Sequence, residues 1–399
     1  MRTILFWIAT ACLAPAQEPQ PAPELSRYDR LLGSWESSGT VNMGPEGAGS
    51  VPWTAVSHTR KVMGGHFVRS DMKIEIQGEQ PGTLAFITFY GWDPERKRHV
   101  AYEISNTGKL AETEVIWLDA DTMLTVSASN DMGQATVERW ITKLKKDSHE
   151  FVGEKAAGDG AWHVHVQGKS TKSKDEKRVS VVELGPFMVA PDAAMAEARK
   201  LAGTYEVKGA FKMNPKDPLT EFSGQETAKP IFGGTILEFT VSGEPGSFEG
   251  WNALAYDPAQ ARYRMVSISS MGFACVQDAW RVGKDWVFTG AGTFQGTPMV
   301  NRTTISLDEA GHMARASAQT MTGTSEPYTC FHATYTLKGR PEAGTRPAGA
   351  GREGGRSPAA RALGAPVPQP RRLGAARPMV WRALAAPVPQ PRRLGAARP

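Results

Sequence analysis

The sequence predicts an all-β protein of two tandem antiparallel β-barrels, each led in by a short helix, with a disordered tail after the second. Three observations predict this. The chain repeats itself: Tyr28–Glu36 (YDRLLGSWE) matches Ala198–Glu206 (ARKLAGTYE), Val62–Val68 (VMGGHFV) matches Ile231–Leu237 (IFGGTIL), and Gly91–Pro94 (GWDP) matches Ala255–Pro258 (AYDP). The three pairs are collinear, their separation drifting only from 170 to 169 to 164 residues, which marks an internal duplication. Between these landmarks lie short β-branched and aromatic runs bounded by Gly, Asp and Asn, the pattern of many short strands joined by tight turns.

Taken in order, the chain begins with a targeting signal over 1–16. Met1-Arg2 supplies the positive end, an apolar run extends from Ile4 to Leu13, and Ala14-Pro15-Ala16 offers small residues for cleavage. The run is shorter than the roughly 20 residues a membrane span needs, so a periplasmic or secreted location is expected. Lipoprotein processing at Cys12 is the alternative, with Ala9 where such signals usually have Leu. A linker over 17–24 leads to the first unit, 25–184. A second linker, 185–191, leads to the second unit, 192–338, whose helix is capped by Asp192 and stopped by Gly203. Strand runs include Phe86–Tyr90, Met123–Ser127 and Ala135–Trp140 in the first unit, and Arg262–Ile268 and Ala333–Leu337 in the second. Closure into barrels removes exposed strand edges.

From 339 to 399 the chain is rich in Arg, Ala, Gly and Pro. RALGAPVPQPRRLGAARP (361–378) recurs as RALAAPVPQPRRLGAARP (382–399). Such composition cannot bury enough apolar surface to order itself. The tail holds 12 Arg and 2 Glu; without it the chain's +5 becomes −5, from 34 basic and 39 acidic residues. The body therefore lacks the basic surface that nucleic-acid binding requires. The tail alone could touch anionic lipid or polysaccharide, against a plain reading of a solvated, passive tail.

The order of a helix, Leu31-Leu32-Gly33-Ser34-Trp35-Glu36, Met63-Gly64-Gly65-His66-Phe67-Val68 and Gly91-Trp92-Asp93-Pro94 resembles an exported bacterial family of calycin-like domains, the domain-of-unknown-function family numbered 1579. The likeness covers about 25–180 well and 195–338 more loosely, with Tyr205 in place of Trp35 and Ala255 in place of Gly91. Gly33-Ser34-Trp35 is also similar to the Gly-x-Trp of lipocalins, whose Trp plugs the closed end of a barrel. The resemblance implies two small antiparallel barrels and assigns no function.

No His-Glu-x-x-His, Gly-x-Ser-x-Gly, Walker loop or Cys-x-x-Cys occurs. The lone Gly-x-Gly-x-x-Gly, at 349–354, lies in the tail without a strand before it. Histidines are the remaining chemical candidates. His163 and His165 share a face if their segment is a regular strand, and could hold a metal or a haem iron. By resemblance to haem-binding nitrobindins, His165 and His332 are candidate haem ligands, against a plain reading of solvated or hydrogen-bonded strand residues. His58, His66 and His99, beside turns, are expected to be solvated. Trp35, Trp53, Trp92, Trp140 and Trp162 are candidates for lining an apolar pocket, or simply for packing a core. Cys275 and Cys330, the two cysteines outside the signal, are expected to form a disulfide in an oxidising compartment, the alternative being two buried thiols.

Two functions follow. The first is an exported protein whose barrels hold a small lipophilic ligand. The second is a non-catalytic envelope interaction protein whose barrels are filled by their own side chains. A haem-binding or enzymatic role through the strand histidines is a third.

Overall fold

In the computed structural model the chain is described over residues 20–340, apart from 43–48, 79–80, 132–133, 158–159, 177–178, 188–192, 213–214, 245–247, 259, 295–296 and 323–325. The expected signal over 1–16, the expected Asp192 cap and nearly all of the tail lie outside the described residues.

Two closed antiparallel barrels of ten strands each follow one another. The first contains β1 (Gly33–Val41), β2 (Val51–Val62), β3 (Phe67–Ile76), β4 (Gly82–Asp93), β5 (Arg98–Ser105), β6 (Leu110–Trp117), β7 (Thr122–Asp131), β8 (Gln134–Leu144), β9 (Ser148–Ala157) and β10 (Trp162–Lys172). It closes by pairing β1 with β10. The second contains β11 (Gly203–Phe211), β12 (Thr220–Ile231), β13 (Ile236–Glu244), β14 (Phe248–Asp257), β15 (Arg262–Ser269), β16 (Ala274–Val282), β17 (Asp285–Phe294), β18 (Thr297–Leu307), β19 (Met313–Thr322) and β20 (Tyr328–Gly339). It closes by pairing β11 with β20. Consecutive strands pair throughout, as short turns between neighbours favour.

The duplication read from the sequence is reproduced in the backbone. Met63, Gly64 and Gly65 have φ of 54°, 62° and 92°, and Phe232, Gly233 and Gly234 have 52°, 64° and 91°. The paired glycines are required here because the turn holds three successive residues in the left-handed region. After the two Asp-Pro steps, Lys97 and Ala261 take φ of 48° and 49°. Asp93 Oδ1 accepts hydrogen bonds from the Glu95 and Arg96 amides, and Asp257 Oδ1 accepts one from Gln260.

A helix leads into each barrel. The first, Pro23–Leu31, is a 3-10 helix that buries Leu25, Tyr28 and Leu31 against Val68, Ala101, Val115, Met123 and Leu144. The second, Ala193–Ala198 continuing as Arg199–Leu201, buries Met195, Ala198 and Leu201. Each helix covers the barrel end where β1 or β11 begins. No helix crosses the other end among the described residues.

The barrels are not independent. Ala85, Ile87 and Phe89 on the outer face of β4, with Val100, Tyr102 and Ile104 on β5, form one buried cluster with Trp251, Ala253, Val266 and Ile268 of the second barrel. The Phe89 and Trp251 rings lie 4.6 Å apart, and Arg264 donates to the Leu110 carbonyl across the seam. Each barrel also has buried clusters of its own, and the shared seam joins them, so residues 20–340 fall within one compact unit.

Candidate functional site

Strand register decides which side chains face each lumen. Trp35 lies opposite Ser57 and Lys172, Ser57 opposite Met72, and Met72 opposite Phe86. Because side chains alternate, the inward set on β4 is Leu84, Phe86, Thr88, Tyr90 and Trp92, and the outward set is Ala85, Ile87 and Phe89. All three outward residues are fully buried in the seam, while every one of the five inward residues keeps accessible surface. This contrast is particular to β4: on β5 the inward His99, Ala101 and Ser105 are buried as well.

An aromatic wall runs along this lumen. The Trp35 ring lies 4.7 Å from His149, His149 lies 6.2 Å from Phe151, and Phe151 contacts both Trp53 (5.8 Å) and Trp140 (6.2 Å); Trp140 meets His165 edge-on at 5.6 Å. Three polar atoms along it, Trp53 Nε1, His149 Nδ1 and His165 Nδ1, are buried without a hydrogen-bond partner in the protein. Native proteins rarely leave such groups unpaired without a functional reason. Burial lowers the His149 pKa to about 4 and moves His165 in the same direction, so both rings are neutral near pH 7.

Near the end opposite the helix the lumen becomes charged. Lys109, just before β6, reaches Glu103 Oε1 on β5 at 3.1 Å and Glu138 Oε2 on β8 at 3.6 Å. The two carboxylates hold the Lys109 amine well above its ordinary pKa. Glu138 favours, and Lys155 and Lys109 oppose, a proton on His165.

The expected site residues separate. Trp35 is a plug rather than a lining residue: it is buried at the closed end and its indole donates to the Leu31 carbonyl. Trp53 and Trp140 face the lumen. Trp92 also faces inward, but at the helix end, where its ring lies 4.9 Å from His99. Trp162 does not line the lumen: it is exposed, with Arg139 over its ring at 4.2 Å, because both lie on the outer face. His163 and His165 do not form a regular pair. Val164 faces Glu154 and Val166 faces Gly153, so His165 is the extra residue of a β-bulge; it is half-buried while His163 is exposed.

His332 is exposed on the outer face, opposite Ala210 and Ser317, so it cannot ligate a haem inside the second barrel. The residue at the corresponding bulge of β20 is Cys330. Cys275 and Cys330 are not bonded to each other. They lie on β16 and β20, with three strands between them, and the Cys330 thiol contacts the Ala318 carbonyl instead. Burial pushes the Cys275 thiol up to about 12. His58, His66 and His99 are buried rather than solvated: His58 on β2 lies 3.1 Å from the Ser34 hydroxyl, and His99 on β5 is enclosed by aromatic rings. The His99 ring packs against Tyr28 and Trp117, which lowers its pKa to about 4.

The residues missed by sequence reasoning are Glu103, Lys109 and Glu138. Glu103 and Lys109 flank the turn between the paired strands β5 and β6, but nothing in the local sequence adds Glu138, which comes from β8.

The family model described as "Protein of unknown function (DUF1579)" matches residues 20–172 and again 191–336, once over each barrel. The chain belongs to the DUF1579 family. This chain is thus a tandem DUF1579 protein, as its repeated Gly-Gly and Asp-Pro turns suggest. No curated protein matches it. Among solved structures, it is similar to a protein of unknown function from the DUF3598 family of Nostoc punctiforme PCC 73102, at 10% identity and a TM-score of 0.24, over 79% of this chain and 99% of that one. It is also similar to a putative AttH from Nitrosomonas europaea, at 8% identity and a TM-score of 0.12, over 80% of this chain and 98% of that one. Likenesses this weak carry no argument about what the DUF1579 barrels do.

Proposed function

We propose that the protein binds a small lipophilic molecule in the lumen of its first barrel. The carrying observation is the contrast on β4, where the outward side chains are fully buried and the inward ones keep accessible surface. The aromatic wall of Trp53, Trp140 and Phe151 supplies an apolar bed. The unpartnered nitrogens and the Glu103–Lys109–Glu138 group supply a few fixed polar contacts for orientation.

The test is a titration of the full chain with the neutral probe N-phenyl-1-naphthylamine, read by probe fluorescence and by quenching of tryptophan emission. Saturable binding is expected, and it should be lost in Ser57→Phe, which puts a ring into the lumen opposite Trp35. Probe binding that survives Ser57→Phe, or no binding to the parent protein, would reject the reading.

We propose also that this binding takes place after export, on the strength of the charged, apolar and small-residue segments within residues 1–16. The mass of protein recovered from a periplasmic fraction tests this, with loss of 16 residues expected and an intact Met1 end counting against it.

A further inference from the structure

The lumen of the second barrel differs chemically from that of the first. Ser269 donates to the Phe273 carbonyl as Ser105 does to that of Lys109, so Phe273 stands where the first barrel has its inward amine. By the same correspondence of strands, Ser267 and Asn301 replace Glu103 and Glu138. The charged group of the first lumen has no equivalent here.

The second lumen instead contains one carboxylate that the first lacks. Glu226 on β12 lies opposite Tyr205 on β11, where the first barrel pairs Ser57 with Trp35. Tyr205 is an inward residue, so Glu226 also faces the lumen, and its residue exposure is only 7%. Its hydrogen-bond partner is the Tyr335 hydroxyl, and no cation among the described residues offsets its charge. Burial accordingly raises its pKa to about 7. An uncompensated buried carboxylate is costly, and proteins usually meet that cost with a paired cation or a ligand.

Its surroundings are those of a site for a cation. Tyr205 and Tyr335 meet edge-on at 6.0 Å beside Glu226. Four residues before Glu226 and Tyr335, on β12 and β20, Phe222 and Phe331 stack at 5.5 Å. Aromatic faces next to a carboxylate attract ammonium groups through the ring quadrupole as well as by charge. Asn301, also inward, keeps a buried Oδ1 without a partner, a further acceptor in the same lumen.

We propose that the second barrel is a separate binding site for an amphiphile carrying a protonated amine, with the ammonium paired to Glu226 beside Tyr205 and Tyr335. The apolar part of the ligand lies toward Phe222 and Phe331. This site does not depend on the reading of the first barrel, and the two lumens take ligands of different charge.

The test compares n-octylamine with n-octanol by isothermal titration calorimetry on the full chain. The parent protein should bind the amine at least about tenfold more tightly than the alcohol, the scale expected of a hydrogen bond to a charged group. Glu226→Gln should remove that preference, while Ser57→Phe in the first barrel should leave it unchanged. At pH 6, where Glu226 is mostly protonated, amine binding should release about one proton, read from the dependence of the heat on buffer ionisation enthalpy. Glu226→Gln should release none. Equal binding of amine and alcohol, a preference that persists in Glu226→Gln, or amine binding abolished by Ser57→Phe would each overturn the proposal.

Discussion

The Trp35 indole donates to the Leu31 carbonyl at 2.8 Å, tying the first strand of the barrel to the last turn of the helix that closes it. In the second barrel the Tyr205 hydroxyl donates to the Leu201 carbonyl at 2.9 Å. Two different side chains thus deliver a donor to the same place, four residues back along the chain. The tyrosine in the second repeat is a replacement that keeps the closing contact, not a weakening of it. Removing only the donor, as in Tyr205→Phe, should cost about 1–2 kcal/mol. Trp35→Ala, which also empties the plug, should cost about 3–5 kcal/mol. Denaturant midpoints of the full chain measure both, and equal costs would mean that the hydrogen bond rather than the ring closes the end.

His99 makes the closed end of the first barrel sensitive to acid. Its folded pKa of about 4 lies below the ordinary 6.5, chiefly because burial among Tyr28, Trp92 and Trp117 disfavours the charged ring, with Arg27 adding to the effect. The unfolded chain therefore takes up a proton first as pH falls. Stability from this group is complete above about pH 6.5 and is lost progressively between 6.5 and 4, by an amount on the order of 1–3 kcal/mol. His99→Phe, which keeps an aromatic ring, should flatten the fall in melting temperature over that window. An unchanged slope would mean that other groups set the acid limit.

Glu226 works in the opposite direction. Its folded pKa of about 7 lies above the ordinary 4.5. The folded state holds the proton while the unfolded chain releases it, so stability falls as pH rises from 4.5 to about 7 and then levels off. Without ligand, Glu226→Gln should stabilise the protein by about 2–3 kcal/mol at pH 8 and by little at pH 4.5. A variant that gains stability while losing amine binding would show a group kept for function at a cost to the fold. Destabilisation at pH 8 would show instead that the ionised carboxylate is well compensated in place.

Much of the fold was legible because backbone constraints are local. The positive φ of Gly64 and Gly65 and the Asp93 and Asp257 turns left signatures that recur at a fixed interval, and strands such as Phe86–Tyr90 announced themselves by composition. The site was less legible because it depends on register. A single extra residue at His165 breaks the alternation that would have paired it with His163. The matching bulge places Cys330, not His332, at the equivalent point of the second barrel. Glu226 sits in Thr220–Ala228, a polar stretch that reads as an outer strand face until barrel closure turns one side of it inward. The apolar faces of Ile87 and Phe89 read as core, and nothing local says that the core they join belongs partly to the next repeat.

That shared core governs how the protein unfolds. Phe67, Ile87, Tyr102 and Ile104 on β3 to β5 meet Ile236, Trp251, Val266 and Ile268 on β13 to β15, the equivalent strands of the other repeat. Each barrel thus uses the same outer face, and separating them would expose a contiguous apolar patch on both. The energetic coupling is large: truncating one buried aromatic in such a seam costs about 3–5 kcal/mol, a substantial part of a typical domain's net stability. Calorimetry of the full chain should show one cooperative transition for both barrels. The double variant Phe89→Ala, Trp251→Ala, which removes the 4.6 Å ring contact, should split it into two while leaving β-sheet circular dichroism at low temperature unchanged. Two separate transitions in the parent protein would mean that the seam packs without coupling. A single transition that merely moves down in the double variant would mean that the coupling is spread over the remaining contacts, including the Arg264 bond to Leu110.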